Sequence, residues 1–404
     1  MTEFTDARPA SRNVTRFEAL LDPGSEKLIE SRGALTVVEG HCKGRLLRLA
    51  LTDRSVAGGS LGVDESDLLR SCFERCRTEK TPILLALDSG GARLTSGLAG
   101  LAAFRRMYRS ALDLRLAGMP MVALIERDCF GGASMLAMLC VVRGALPSAR
   151  IGMSGPAIIE TLAGKQDLDA SDREAVRALF GALTRARAGA IDIVFDEQVS
   201  RADTLAQLLG LAADKQGDVF EQHQRLKQRL SDTGVGIPVP TLESATRLFR
   251  RGVAVGAAEI WQLADAVLGA RTGEAVLLRV NCPGQAATRR DELLVLSEYV
   301  AHLALCLRVA SSRGVELITR IEGESAGGIY VALASGAASV EANPEAMVRV
   351  LPGKAIQVVV RETPPTETLA DALRTGVVDR VVEGAESCVA ERAASTVAGQ
   401  VKQY

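Results

Sequence analysis

The chain repeats itself, and that repeat restricts its fold more than any other feature. Thr81 to Gly91 (TPILLALDSGG) is an apolar run ending in Asp-Ser-Gly-Gly, and Glu274 to Gln285 (EAVLLRVNCPGQ) is an apolar run ending in Asn-Cys-Pro-Gly-Gln. A long helical pattern follows each, Leu98 to Ala117 and Asp291 to Ser312. Each then leads into a second apolar strand, MVALI at 121–125 and VELITRI at 315–321. Both strands end at a glycine pair, Gly131-Gly132 and Gly327-Gly328, and a second apolar helix follows (ASMLAMLCVV, IYVALASGA). Further on, ARIGMSGP (149–156) and ASVEANPE (338–345) each read as a short strand ending near a proline, so the repeat sets them in correspondence.

Two halves with one element order predict two homologous α/β domains joined by a helical segment within 215–245. The boundaries fall at a disordered tail (1–13), a first domain (14–235) and a second domain (236–404). Strands alternating with helices imply βαβ units and largely parallel sheets. The strands are continuous apolar runs, the pattern of strands covered on both faces. Ligands in such folds bind beyond the carboxyl ends of the strands, where both glycine pairs lie.

A glycine pair at a strand-to-helix junction leaves backbone N–H groups unobstructed, and the first N–H groups of a helix have no internal partner. Such turns can hold an anion or a developing oxyanion. Neither is a phosphate loop, because no GxxxxGK[ST] occurs and no GxGxxG opens either unit. Lys plus Arg is 48 against 49 for Asp plus Glu, a net charge of −1, which argues against nucleic acid or an anionic membrane as partner. The apolar stretches fall short of the roughly 20 residues of a membrane span, and Met1 to Asn13 lacks the apolar core of a signal peptide. Eight scattered cysteines and three histidines (His41, His223, His302) show no zinc spacing and no Ser-His-Asp pattern, so the expectation is a reduced, cytoplasmic protein with no metal.

LDSGGARL (87–94), CFGG (129–132) and IGMSGPAIIE (151–160) resemble the β subunit of biotin-independent malonate decarboxylase, in the acyl-CoA carboxyltransferase branch of the crotonase-like superfamily. GGSLG (58–62) is similar to a turn those proteins carry before the DSGG strand. NCPGQAATRRDE (281–292), GESAGGIY (323–330) and LPGKA (351–355) resemble the γ subunit, so the chain looks like a β–γ fusion. Thr95 and Ser96 depart from the Gln-Glu usual in relatives of the first half.

The resemblance implies an α/β fold of two crotonase/ClpP-like ββα spiral domains forming an intramolecular pseudo-dimer, with a thioester site between them. By similarity Gly90, Gly91, Ala92, Gly131 and Gly132 bind the thioester carbonyl of a CoA or acyl-carrier-protein substrate. Gly284, Ala326, Gly327 and Gly328 then hold a carboxylate, or the carbonyl of carboxybiotin in a transferase. Loss of CO2 from a malonyl thioester leaves an enolate that two N–H donors can stabilise. No bound cofactor is required beyond CoA or phosphopantetheine as the substrate's carrier.

Glu160 is the first candidate proton donor, with Ser154 and Ser325 as hydrogen-bond donors. Arg93, Arg105, Arg106, Arg109 and Lys354 are candidates for the carrier's phosphates. The leading expectation is a decarboxylase acting on a malonyl or substituted malonyl thioester. A biotin-dependent acyl-CoA carboxyltransferase subunit is the alternative, ahead of a hydratase or isomerase and of an inactive scaffold. Expected partners are an acyl carrier protein or acyl-CoA, an acyl transferase subunit and a second copy of the chain.

Overall fold

The computed structural model describes residues 11–196, 198–215, 217–234, 240–352, 355–356 and 367–383. The first sheet contains β1 (Lys27–Arg32), β2 (Leu35–Cys42), β3 (Arg45–Thr52), β4 (Ile83–Ser89), β5 (Met121–Phe130), β6 (Val142–Ala145), β7 (Arg150–Gly152) and β8 (Ile193–Val194). Its order is β1-β2-β3-β4-β5-β6-β8, with β7 beside the far end of β5. The β1–β3 meander is antiparallel, and every pairing from β3 onward is parallel. The second sheet contains β9 (Ala275–Cys282), β10 (Glu316–Ala326), β11 (Ser339–Ala342), β12 (Met347–Arg349) and β13 (Arg380–Val381), all parallel.

The predicted repeat is present and reaches further than the sequence pattern showed. The β4–β5 pairing slips between Leu87 and Ser89 and resumes at Ser89 with Cys129; β9–β10 slips likewise and resumes at Cys282 with Ser325. This register equates Gly91 with Gly284, Ala92 with Gln285, Gly131 with Gly327 and Gly132 with Gly328. Upstream, Leu61 bridges Ala92 as Val255 bridges Gln285. Gly62 and Gly256 then open the helices Val63–Glu79 and Ala257–Leu268, each donating its N–H to a glutamate three residues on, Glu65 at 3.0 Å and Glu259 at 3.1 Å.

Two expectations are corrected by the register. Ser339–Ala342 does not correspond to ARIGMSGP: β11 pairs with the first part of β10 as β6 pairs with β5, and the counterpart of β7 is β12. The long strands β5 and β10 each carry two successive neighbours on one edge, and the proline signal alone could not tell which neighbour was which. The helix expected over 291–312 is two helices, Arg289–Leu293 and Leu296–Ser312. The break is at Val295, a buried β-branched residue with φ 61°. That left-handed conformation costs about 1–3 kcal/mol. It turns the first helix so that Glu292 reaches the other domain.

The two halves pack as a pseudo-dimer. Helix Gly97–Leu116 of the first half lies on helix Gly327–Gly336 of the second, and Leu296–Ser312 of the second lies on Gly132–Leu139 of the first. Reciprocal contacts of equivalent elements are what a two-fold relation between homologous units produces. A single apolar core runs through both halves. A second cluster covers the outer face of the first sheet beneath helix Arg201–Asp214. The expected linker holds helix Val219–Asp232, which packs on the second half, and the expected tail ends in helix Ser11–Glu18. Residues 1–10 of that tail lie outside the described residues. No described helix is long and apolar enough to cross a membrane.

Candidate active site between the two halves

The first glycine turn is built by close backbone approach. A side chain at Gly59 would sit 2.1 Å from the Asp88 carbonyl oxygen, and one at Gly91 (φ 103°) would sit 2.7 Å from the Phe130 carbonyl oxygen. Only glycine fits at either position. The Gly90 N–H donates to Gly58 O at 3.0 Å, Gly91 N–H to Ser89 Oγ at 3.1 Å, and Gly131 N–H to Gly152 O at 3.1 Å. Of the five expected donors, the Ala92 and Gly132 N–H groups have no acceptor among the described residues. Gly132 is the first residue of its helix, where an N–H has no partner within the helix.

The second turn repeats this backbone with one difference. Gly284 (φ 130°) and Gly327 (φ 59°) copy the left-handed conformations of Gly91 and Gly131 (φ 55°). Where the first half has Ala92, the second has Gln285, and its Oε1 accepts the Gly328 N–H at 3.1 Å. The second hole is filled by the chain's own amide. Because an N–H can only donate, the Gln285 oxygen faces Gly328, and its Nε2 is the group left to meet a ligand.

Both turns border one cavity of about 320 Å3, lined by Gly90, Ala92, Gly131 and Gly132 from the first half and Gln285, Gly327 and Gly328 from the second. Its walls are otherwise mostly apolar. Met135 and Met153 press on the second turn so closely that a side chain at Gly328 would sit 2.4 Å from Met153 Cε. The ionisable lining is Arg54, Asp128 and Arg150. Buried Asp128 accepts from Arg150 Nε at Oδ1 (2.7 Å) and from Nη2 at Oδ2 (2.9 Å), and Arg54 Nη1 lies 2.7 Å from the same Oδ2. The carboxylate fixes two partly exposed guanidinium groups at the cavity wall.

Several predicted residues lie elsewhere. Glu160 is not in the cavity wall; its Oε2 accepts the Ala170 N–H at 2.6 Å and closes a loop. Ser154 is buried behind Met153, and its N–H donates to Glu292 Oε1 at 2.6 Å. Ser325 is buried in β10 opposite Cys282, and Ala326 precedes the second turn. Arg93 pairs with Glu65 beside the first turn. Arg105 reaches the second half, at Ala334 O, Gly376 O and Asp379, and Arg109 donates to Ala337 O at 2.9 Å. Arg106 faces Asp67 at 3.9 Å. Arg105 and Arg109 join the two halves, because the face of helix Gly97–Leu116 that carries them is turned to the other half. Lys354 lies outside the described residues.

Neither Arg54, in a polar turn after β3, nor Arg150, at the start of β7, stands out in the sequence as a cavity residue. Nor did the sequence point to Glu292, wholly buried, which accepts the Met153 and Ser154 N–H groups and the Arg185 guanidinium. Burial raises its carboxyl above the ordinary value, against the opposing pull of Arg185 and the two N–H groups. It ties the second half to the loop that shapes the cavity wall. The thiols of Cys129 and Cys282 are pushed up by burial, so neither is a nucleophilic thiolate.

The carboxyl transferase domain family matches residues 14–228, and the malonate decarboxylase gamma subunit family matches residues 250–378. The chain is 34% identical over 163 residues to acetyl-coenzyme A carboxylase carboxyl transferase subunit beta 1 of Roseiflexus sp., covering 38% of this chain and 54% of that one. It is 32% identical over 216 residues to the carboxyl transferase subunits beta/alpha of Parafrankia sp., covering 53% of this chain and 32% of that one. The chain thus spans about half or less of the length of these curated relatives. Among solved structures, a Pseudomonas malonate decarboxylase hetero-tetramer in complex with malonate is similar, at 28% identity and a TM-score of 0.46, over 50% of this chain and 82% of that one. The family match over residues 14–228 takes in more than half of the 404 residues, and the chain belongs to the carboxyl transferase domain family.

Proposed function

We propose that the chain decarboxylates a malonyl or substituted malonyl thioester carried on CoA or on an acyl carrier protein, as a fusion of units like the β and γ subunits of malonate decarboxylase. The thioester oxygen binds at the Ala92 and Gly132 N–H groups. As the carboxylate leaves as CO2, its electron pair moves onto the thioester oxygen, and the same two donors stabilise the enolate. One such donor is worth about 3–4 kcal/mol of transition-state stabilisation. The apolar cavity favours neutral CO2 over the carboxylate. Among the described residues, every ionisable group in the wall is engaged in the Arg54–Asp128–Arg150 cluster, and water is the proton source for the carbon in this reading. No step uses a cofactor beyond the carrier.

The observation that carries this reading over a transferase is Gln285. A carboxyltransferase must seat the carbonyl of carboxybiotin beside the acyl site, and the hole equivalent to Ala92–Gly132 already contains the Gln285 amide oxygen. The Nε2 of that amide is then positioned to orient the departing carboxylate. Incubating the purified chain with malonyl-CoA or malonyl-carrier protein, without biotin, tests this by intact mass. Loss of CO2 is expected. Turnover that appears only when a biotin carrier is added would establish the transferase instead, and an acyl transferase subunit or second copy needed for turnover would show as dependence on the added partner.

A further inference from the structure

Away from the cavity, the structure brings together three residues that the sequence keeps apart. His223, on helix Val219–Asp232, meets His302 and Cys306, one turn apart on helix Leu296–Ser312. His223 Nδ1 lies 3.0 Å from His302 Nε2, and Cys306 Sγ lies 3.2 Å from the same nitrogen. All three atoms fall within 4.8 Å of one another, and all three side chains are buried. Asp265 Oδ1 lies 2.9 Å from the other ring nitrogen of His223, and the ring stacks on Trp261 at 4.6 Å between centroids.

Protons alone do not satisfy this cluster. The Asp265 carboxylate accepts, so His223 carries its proton on Nε2 and turns a lone pair at Nδ1 toward His302. If His302 is protonated at Nε2, it satisfies His223, but its own Nδ1 is left bare in the interior; that nitrogen has no hydrogen-bond partner. The Cys306 S–H then has no acceptor among these nitrogens. If His302 is protonated at Nδ1 instead, two lone pairs oppose each other at 3.0 Å. A cation at the point where the three atoms converge accepts both imidazole lone pairs and the thiolate at once, which removes the opposed lone pairs and the unpartnered S–H.

We propose that His223 Nδ1, His302 Nε2 and Cys306 Sγ form a binding site for one borderline-soft transition-metal ion of the Zn2+ class. Zinc bonds of about 2.0–2.1 Å to nitrogen and 2.3 Å to sulfur hold ligand atoms roughly 3.3–3.8 Å apart, within the span seen here. Asp265 is the outer carboxylate that fixes a ligating histidine's tautomer. On binding, Cys306 loses its thiol proton to solvent and the His302 proton moves from Nε2 to Nδ1, so one proton is released per ion. None of these residues lines the cavity. Two ligands come from the second half and one from the connecting helix, so the ion acts as a staple between them.

The test titrates the full, untagged and reduced chain with Co2+ after chelation. One equivalent should bind with a thiolate-to-metal absorption band, Zn2+ should displace it, and one proton should appear per ion. Zn2+ should also raise Tm. Cys306→Ser should abolish the band and weaken binding by about a hundredfold, and Asp265→Asn should weaken it by about tenfold. Cys72→Ser, at a buried thiol outside the cluster, should change nothing. Absence of binding, or a band that persists in Cys306→Ser, overturns the site. Zinc-edge X-ray absorption on the wild-type complex reads the ligands without any variant: two imidazoles and one sulfur are expected, and a shell without sulfur or with several sulfurs refutes the assignment.

Discussion

The side-chain oxygen of Gln285 accepts the Gly328 N–H at 3.1 Å, while the equivalent Gly132 N–H of the first half, where Ala92 replaces the glutamine, has no acceptor among the described residues. The two holes share backbone conformation and position in their strands, and differ in what occupies them. The duplicated turn thereby leaves one pair of N–H groups open and closes its counterpart. The open one can hold a charge that develops during reaction; the closed one presents an amide.

This difference can be transplanted. Ala92→Gln should place an amide oxygen over the Gly132 N–H as Gln285 does over Gly328. Turnover of the malonyl thioester should fall by about 10²–10³-fold, the usual loss when one oxyanion donor is removed. Circular dichroism and Tm should stay near wild type, because the second half already accommodates the same side chain on the same backbone. Unimpaired turnover in a folded Ala92→Gln protein would mean that Gly132 is not a donor to the reacting oxygen.

The reverse change is milder. Gln285→Ala removes a neutral amide whose Nε2 faces the cavity, a hydrogen bond worth about 1 kcal/mol. We expect kcat to fall roughly five- to tenfold with little change in KM, since the thioester oxygen is bound elsewhere. Gln285→Glu should cost far more, because its carboxylate repels the one that must leave. Steady-state kinetics of the two variants separate the contributions.

What the sequence made legible was local, and what it hid depends on distance. The apolar runs of β4, β5, β9 and β10 and their terminal glycines announce themselves within a dozen residues, because strand periodicity and left-handed turns are short-range properties. The direction of the Gln285 side chain depends on the register of β9 against β10, which no motif states. Arg105 and Arg109 looked like ligands for phosphate because a helix pattern shows that a face exists, not which neighbour it meets. His223 and His302 are 79 residues apart and belong to a segment read as linker and a segment read as core. Val295 looked like ordinary helix, and its left-handed turn lies three residues beyond Glu292, which accepts the Ser154 N–H of the other half.

Arg150 tests the cavity wall. Arg150→Ala should raise KM for a charged thioester by about tenfold at low ionic strength, with a smaller effect on kcat. Salt should shrink the difference, since a partly exposed guanidinium acts through a screened field. Asp128 retains Arg54 at 2.7 Å in this variant, so the buried carboxylate is not orphaned and the fold should survive. Equal KM values at low salt would remove Arg150 from substrate binding.

Glu298 tests the cohesion of the two halves and carries a definite pH signature. Its carboxylate is wholly buried and meets Arg143 of the first half and Arg225 and Arg229 of the connecting helix. Burial alone would raise its pKa, but the three guanidinium groups win and hold it far below the ordinary carboxylate value. A carboxyl depressed on folding contributes stability that is full above its unfolded pKa, near 4.3, and is lost as pH falls toward the folded value. Glu298→Gln should therefore cost about 3–5 kcal/mol at pH 7, where it leaves buried cations unpaired. The gap from wild type should narrow steadily below about pH 4. Urea unfolding of both proteins at several pH values measures it; a gap independent of pH would show that Glu298 acts through packing and not through its charge.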